Sequence, residues 1–157
     1  MRLRTPNVFE ITVASLDAYA VVNEQGGKTF VAPATARCPK LYVFADGPKL
    51  LYIGQTVQSM SARMRMGFQA DGTGGYYGYR WRHTLKNAQC HVWCLDDVLE
   101  EEETHTLECI ESEVVFGYRA KFNQWPIFQT EIHFHASNEE HRALASQILG
   151  CFDGGAA

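Results

Sequence analysis

The 157 residues, 46% of them hydrophobic, suffice for one buried core without disulfides, so one domain and no linker are expected. Apolar runs such as Leu50 to Ile53 fall far short of the roughly 20 residues of a membrane span, and the odd number of five cysteines argues against a disulfide framework, so a cytoplasmic protein without a membrane partner is expected. The net charge of −4 argues against indiscriminate coating of nucleic acid, because that affinity comes from cations on phosphates.

Val8 to Val13, Tyr19 to Val22 and Thr29 to Val31 are short and β-branched or aromatic, and the Gln25-Gly26-Gly27 turn predicts a hairpin among them. Leu41 to Ala45 and Leu50 to Ile53, joined by Asp46-Gly47-Pro48-Lys49, form a second hairpin. Ser59 to Met66 reads as a short helix, Gly67 to Gly75 as a loop, and Tyr76 to Leu85 as a second helix. Gln89 to Leu95 alternates as a strand, with Cys90, Val92 and Cys94 on one side and His91, Trp93 and Leu95 on the other. Val98 to Tyr118 should be the longest helix, with acids in its first turns. A last strand is expected over Glu131 to His135, then a helix from Glu139 to Leu149 capped by Asn138, then a fraying tail. The expectation is an α+β domain: a small, mostly antiparallel sheet flanked by helices, with an extra N-terminal hairpin and a C-terminal helix. Charge is uneven along it. Ser59 to Gln89 holds Arg63, Arg65, Arg80, Arg82 and Lys86 against Asp71, whereas Asp96 to Glu113 holds nine acids and no Lys or Arg.

Leu41-Tyr42-Val43, Tyr52-Ile53-Gly54, Arg63, Glu111 and Asn123 follow one another in an order that resembles the GIY-YIG nucleases. In that family two paired strands carry one tyrosine each, followed by an arginine on a helix and a glutamate on a later helix. The resemblance covers residues 39–125, leaving 1–38 as an N-terminal β extension, 126–152 as a C-terminal strand and helix, and 153–157 as a tail. It implies an endonuclease that hydrolyses DNA, with Tyr42 or Tyr52 handling the proton, Arg63 on the phosphate, and Glu111 holding one Mg²⁺ or Mn²⁺ beside the leaving 3′ oxygen. It also implies that Asn123 keeps the site in shape. Two departures are visible. Lys40-Leu41-Tyr42 stands where the family name has Gly-Ile-Tyr, and Gly67, one helical turn after Arg63, stands where several relatives place a proton-transferring His or Tyr. Tyr76, Tyr77 and His83 are the candidate substitutes.

The residue types suit the chemistry. Phosphodiester hydrolysis needs an activated water and stabilisation of charge on the phosphoryl oxygens. A phenol, with a pKa near 10, serves as base only if a neighbouring Arg63 or a metal lowers it. Arg63 offers a planar permanent cation and Glu111 a hard oxygen ligand, and one carboxylate implies a single hydrated ion. Arg65, Arg80, Arg82 and Lys86 are candidate DNA contacts. Each residue also has an ordinary reading: tyrosines packing a sheet, arginines in solvent, Asn123 ending a helix. The run from Tyr76 to His83 packs its rings inward or faces DNA, and both remain open. Cys90, His91 and Cys94 lack zinc geometry on a strand, and Cys109 reads as core. His133 and His135 share a face but want a third ligand. The rival function is a non-catalytic DNA-binding or protein-interaction module. A double-strand cut asks for two sites, which makes a symmetric homodimer the default partner.

Overall fold

The computed structural model describes residues 1–130, 132 and 135–152. The fold is α+β. Strands β1 (Arg2–Leu3), β2 (Asn7–Ser15), β3 (Ala18–Asn23), β4 (Lys40–Asp46), β5 (Lys49–Thr56) and β6 (Asn87–Asp96) form one sheet, and helices α1 (Met60–Gln69), α2 (Glu103–Phe122) and α3 (Glu139–Gly150) flank it. The strand order is β3-β2-β6-β4-β5, with β1 also on β6, and every pairing is antiparallel. β4 and β6 are central and buried on both faces, which is why their apolar residues run almost without interruption.

The two faces carry two cores. On one, Leu41, Val43 and Ile53 meet Ile110 and Val114 of α2 and Leu144 of α3. On the other, Tyr42, Phe44, Met60, Met64, Tyr79 and Trp81 form an aromatic layer beneath α1. β5 lies at the edge of the sheet, and its free backbone is covered by the segment after α2: Ile127 N donates to Leu50 O at 3.1 Å and Phe128 N to Leu51 O at 2.8 Å. This cover satisfies groups that an open edge would present to other chains.

Several elements depart from the sequence expectation. The N-terminal hairpin turns at Leu16 and Asp17, and Thr29 to Val31 is not a strand. The helix expected over 76–85 is replaced by extended chain and a short 3₁₀ turn, Arg80–His83. Gly78 lies in that stretch at φ +62°, and Tyr79 and Trp81, two residues apart, are both buried. A residue in the left-handed region interrupts an α-helix at that point. α2 begins at Glu103, later than expected, after a 3₁₀ turn at Glu100–Glu102. Asn138 caps α3, its side chain accepting from His141 N at 2.9 Å. The expected strand at 131–135 and the tail at 153–157 fall on Glu131, His133, Phe134 and residues 153–157, which lie outside the described residues. All five cysteines are free, and His91 stacks on Trp93 with ring centres 5.9 Å apart. Among the described residues no helix is long and apolar enough to cross a membrane.

Arg82 holds the aromatic layer in place. Only 6% of it is exposed, and its guanidinium donates to the carbonyls of Leu16 at 2.9 Å, Gly67 at 3.1 Å, Tyr79 at 3.0 Å, Tyr77 at 3.3 Å and Ala70 at 2.8 Å. It ties the β2–β3 turn, the end of α1 and the 77–79 segment together, so the expectation that it contacts DNA is corrected. Burial pulls its pKa below the ordinary arginine value. Arg82→Ala is expected to cost about 3 kcal/mol by orphaning these carbonyls, read as a shift in the urea midpoint. Exposed Arg80→Ala should move it by less than about 0.5 kcal/mol, and equal small shifts would refute the staple.

Candidate active site

The β4–β5 register places Tyr42 opposite Gly54 and Phe44 opposite Tyr52. Tyr42 and Tyr52 are therefore diagonal neighbours on one face, with ring centres 6.2 Å apart. Gly54 is what admits the Tyr42 ring: a Cβ there would lie 2.5 Å from the Tyr42 hydroxyl. α1 delivers Arg63 to the same place. Ser59 caps the helix, its hydroxyl accepting from Ala62 N at 3.3 Å, and Arg63 Nε donates to the Tyr42 hydroxyl at 2.9 Å. The entry into α1 is pinned by Lys40, fully buried, whose Nζ donates to the carbonyls of Ala36, Cys38 and Gln58 at 2.6, 2.9 and 3.0 Å. The residue that breaks the family motif thus has a task of its own.

Glu111 approaches from α2, across the β5 edge. It is 8% exposed, and Gln129 Nε2 donates to its Oε1 at 3.5 Å. Gln129 Oε1 in turn accepts from Ile53 N at 2.9 Å, so one amide bridges the strand edge and the carboxyl. Burial raises the Glu111 pKa to about 8, with Arg63 opposing the shift and Glu108 adding to it. Arg63 and Glu111 thus attract one another, yet no ion pair joins them among the described residues. Burial pushes the Tyr42 pKa well above 10, and Arg63 offsets this only in part; Tyr52 is raised likewise by burial, then by Tyr42 and Glu111. The condition under which a phenol becomes a base is therefore not met by Arg63 alone.

The position opposite Gly67 is filled by Tyr79, a residue the sequence reading did not single out. Its ring occupies the space of a side chain at 67, where a Cβ would come within 2.2 Å of it, and its hydroxyl donates to Tyr42 at 3.2 Å. Tyr76 stacks against Arg63, the guanidinium carbon 5.3 Å from the ring centre. Tyr77 is exposed at the rim beside Tyr52. His83 is exposed in a separate groove with Val13, Leu16 and Lys86, and is not brought to the site.

Asn123 also lies elsewhere. It ends α2 in the left-handed conformation at φ +54°, with its side chain on Arg119. Twelve residues of helix put its backbone about 18 Å along the axis from that of Glu111. Gln129, not Asn123, is the amide that touches Glu111. Arg65, Arg80 and Lys86 are exposed.

The donor set is compatible with a hydrated divalent cation. Glu111 is a buried acid without a cationic partner in contact, Gln129 fixes its orientation, and Tyr52 lines a small opening with Tyr76 and Tyr77. Among the described residues no three His, Cys, Asp or Glu side chains converge, so one carboxylate would share the ion with water and substrate oxygens, as Mg²⁺ sites commonly do. No family model matches the chain, and no curated protein or solved structure matches it significantly.

Gly67 and Tyr79 should behave as one unit. Gly67→Ala is expected to cost about 2 kcal/mol through overpacking, and most of that cost should vanish in a Tyr79→Ala background. Additive costs in urea denaturation would show that the ring does not need the space.

Proposed function

We propose that the protein is a metal-dependent endonuclease of the GIY-YIG kind that hydrolyses DNA phosphodiester bonds. The observation that carries this reading is that Glu111, Arg63 and Tyr52 lie close enough to act on one another electrostatically, with Tyr42 bonded to Arg63 and Gln129 to Glu111.

In this reading Arg63 receives the scissile phosphate. Its Nε is committed to Tyr42, which orients the guanidinium plane and leaves the terminal N–H donors for phosphoryl oxygens. Water attacks phosphorus, the bond to the 3′ oxygen breaks, that oxygen takes a proton from solvent, and the products carry a 5′ phosphate and a 3′ hydroxyl. A bound Mg²⁺ or Mn²⁺ supplies Lewis acidity that stabilises charge on the leaving oxygen. Glu111 would hold that ion, with Gln129 orienting the carboxyl. Tyr42 is sealed from solvent, so Tyr52 is the phenol that can take the water's proton. Burial keeps it protonated in the free protein, and the positive charge of Arg63 and of a bound cation favours the ionised form the step requires. Tyr79 backs Tyr42 from beneath.

The pH dependence follows from Glu111. Its folded pKa of about 8 lies above the ordinary 4.5, so its protonated form favours the fold at acid pH, and this contribution is lost as pH rises through about 8. A metal needs the ionised form and displaces the proton. Nicking of supercoiled plasmid is therefore expected with Mg²⁺ or Mn²⁺, not with chelator, at a rate that climbs from about pH 6 to about pH 8. Glu111→Gln and Arg63→Ala should each lose about 100-fold or more. A folded wild-type protein that binds DNA with or without metal and never cuts it would overturn the enzyme and leave a binding module.

A further inference from the structure

A groove crosses the candidate site. One part, about 380 Å³, is lined by Trp125, Gln129, Thr130 and Ile132, and it meets the opening lined by Tyr52, Tyr76 and Tyr77 at the shared residue Thr130. Gln129, in its wall, is the residue that touches Glu111. The groove is therefore lined by the phenol that the nuclease reading uses and reaches its carboxyl through Gln129. Each end carries a large open ring: Trp125 is 47% exposed and Tyr77 61%. Arg119 lies against Trp125, its guanidinium carbon 5.9 Å from the ring centre, so a cation sits beside that platform.

We propose that this groove seats an unpaired strand of DNA, one base stacking on Trp125 and another on Tyr77, with the intervening backbone passing Arg63 and Glu111. The inference rests on the nuclease reading for the position of the scissile phosphate and goes beyond it in naming the substrate class. Every base has a face for an aromatic ring, and alanine substitution at such platforms costs about 1–3 kcal/mol per base. A duplex hides those faces within its own stack and must be held through its phosphates. The chain is poorly equipped for that: its net charge is −4, and of the five cations between Ser59 and Gln89, Arg82 is consumed as a staple and Arg63 belongs to the centre. Charge complementarity is local, at Arg63 and Arg119, and the remaining affinity is assigned to the rings. The salt dependence should accordingly be shallow.

The test is fluorescence anisotropy of a labelled thymidine oligonucleotide of about 12 nucleotides, and of a duplex of equal length, in chelator and in the Glu111→Gln background, so that neither metal nor cleavage enters. The single strand is expected to bind at least tenfold tighter than the duplex. Trp125→Ala and Tyr77→Ala should each lose about tenfold or more for the single strand and less than twofold for the duplex, while Trp125→Phe, which keeps a stacking ring, should recover most of the loss. Tighter duplex binding, or alanine variants that bind like their parent, would overturn the proposal. So would a dimer that Trp125→Ala dissociates without changing oligonucleotide affinity, since the patch would then be an interface between copies. Stacking that holds in a protein without cleavage would sink the nuclease reading and leave the strand-binding groove; cleavage without strand preference would do the reverse.

Discussion

The buried carboxyl of Glu111 is the constraint around which the rest of the site is organised. An acid removed from water keeps its proton unless something positive is supplied, and here the fold supplies only part of it: Arg63 attracts the carboxylate without touching it. The unmet part is what makes the site a candidate for a divalent cation. A fold seeking only stability would be served as well by an apolar side chain in this place. Gln129 makes the arrangement persist, since the same amide that holds Glu111 also pairs with the edge of β5.

The opposing charge is held with equal care. Arg63 is gripped by Tyr42, flanked by Tyr76, and mounted on a helix whose entrance Lys40 anchors through three carbonyls. Two glycines create the space for this packing, Gly54 beneath Tyr42 and Gly67 beside Tyr79. Arg82 then fastens the loop that brings Tyr76, Tyr77 and Tyr79 to the centre. The two faces of the sheet are thereby joined at one edge: Arg63 and the phenols belong to the α1 side, Glu111 to the α2 side, and Gln129 spans the strand between them.

What could be read in advance was whatever rests on local pattern. The hairpin of β4 and β5, the doubly buried β6, and α1, α2 and α3 announce themselves through alternation, turn residues and caps, and the α+β class follows from them. What could not be read depends on distant backbone. Tyr79 sits 37 positions from Tyr42, and its only trace in the sequence is a glycine where a helix has no need of one. Gln129 lies in an irregular segment whose course is set by the open edge of β5, which no local periodicity records. Arg82 looks like any surface cation until the carbonyls gathered around it are known. Asn123 fails by simple helix arithmetic, a test available from the spacing once the helix is extended as far as Phe122.

Calorimetric titration of Mn²⁺ into the protein near pH 6.5, in two buffers of different ionisation enthalpy, bears most directly on this account, because it counts the protons released by the ion. Release of about one proton per ion by the wild type, with neither binding nor release in Glu111→Gln, is the expected result. Binding without proton release, or equally tight binding by the variant, would contradict the view that a buried, protonated Glu111 is the metal ligand.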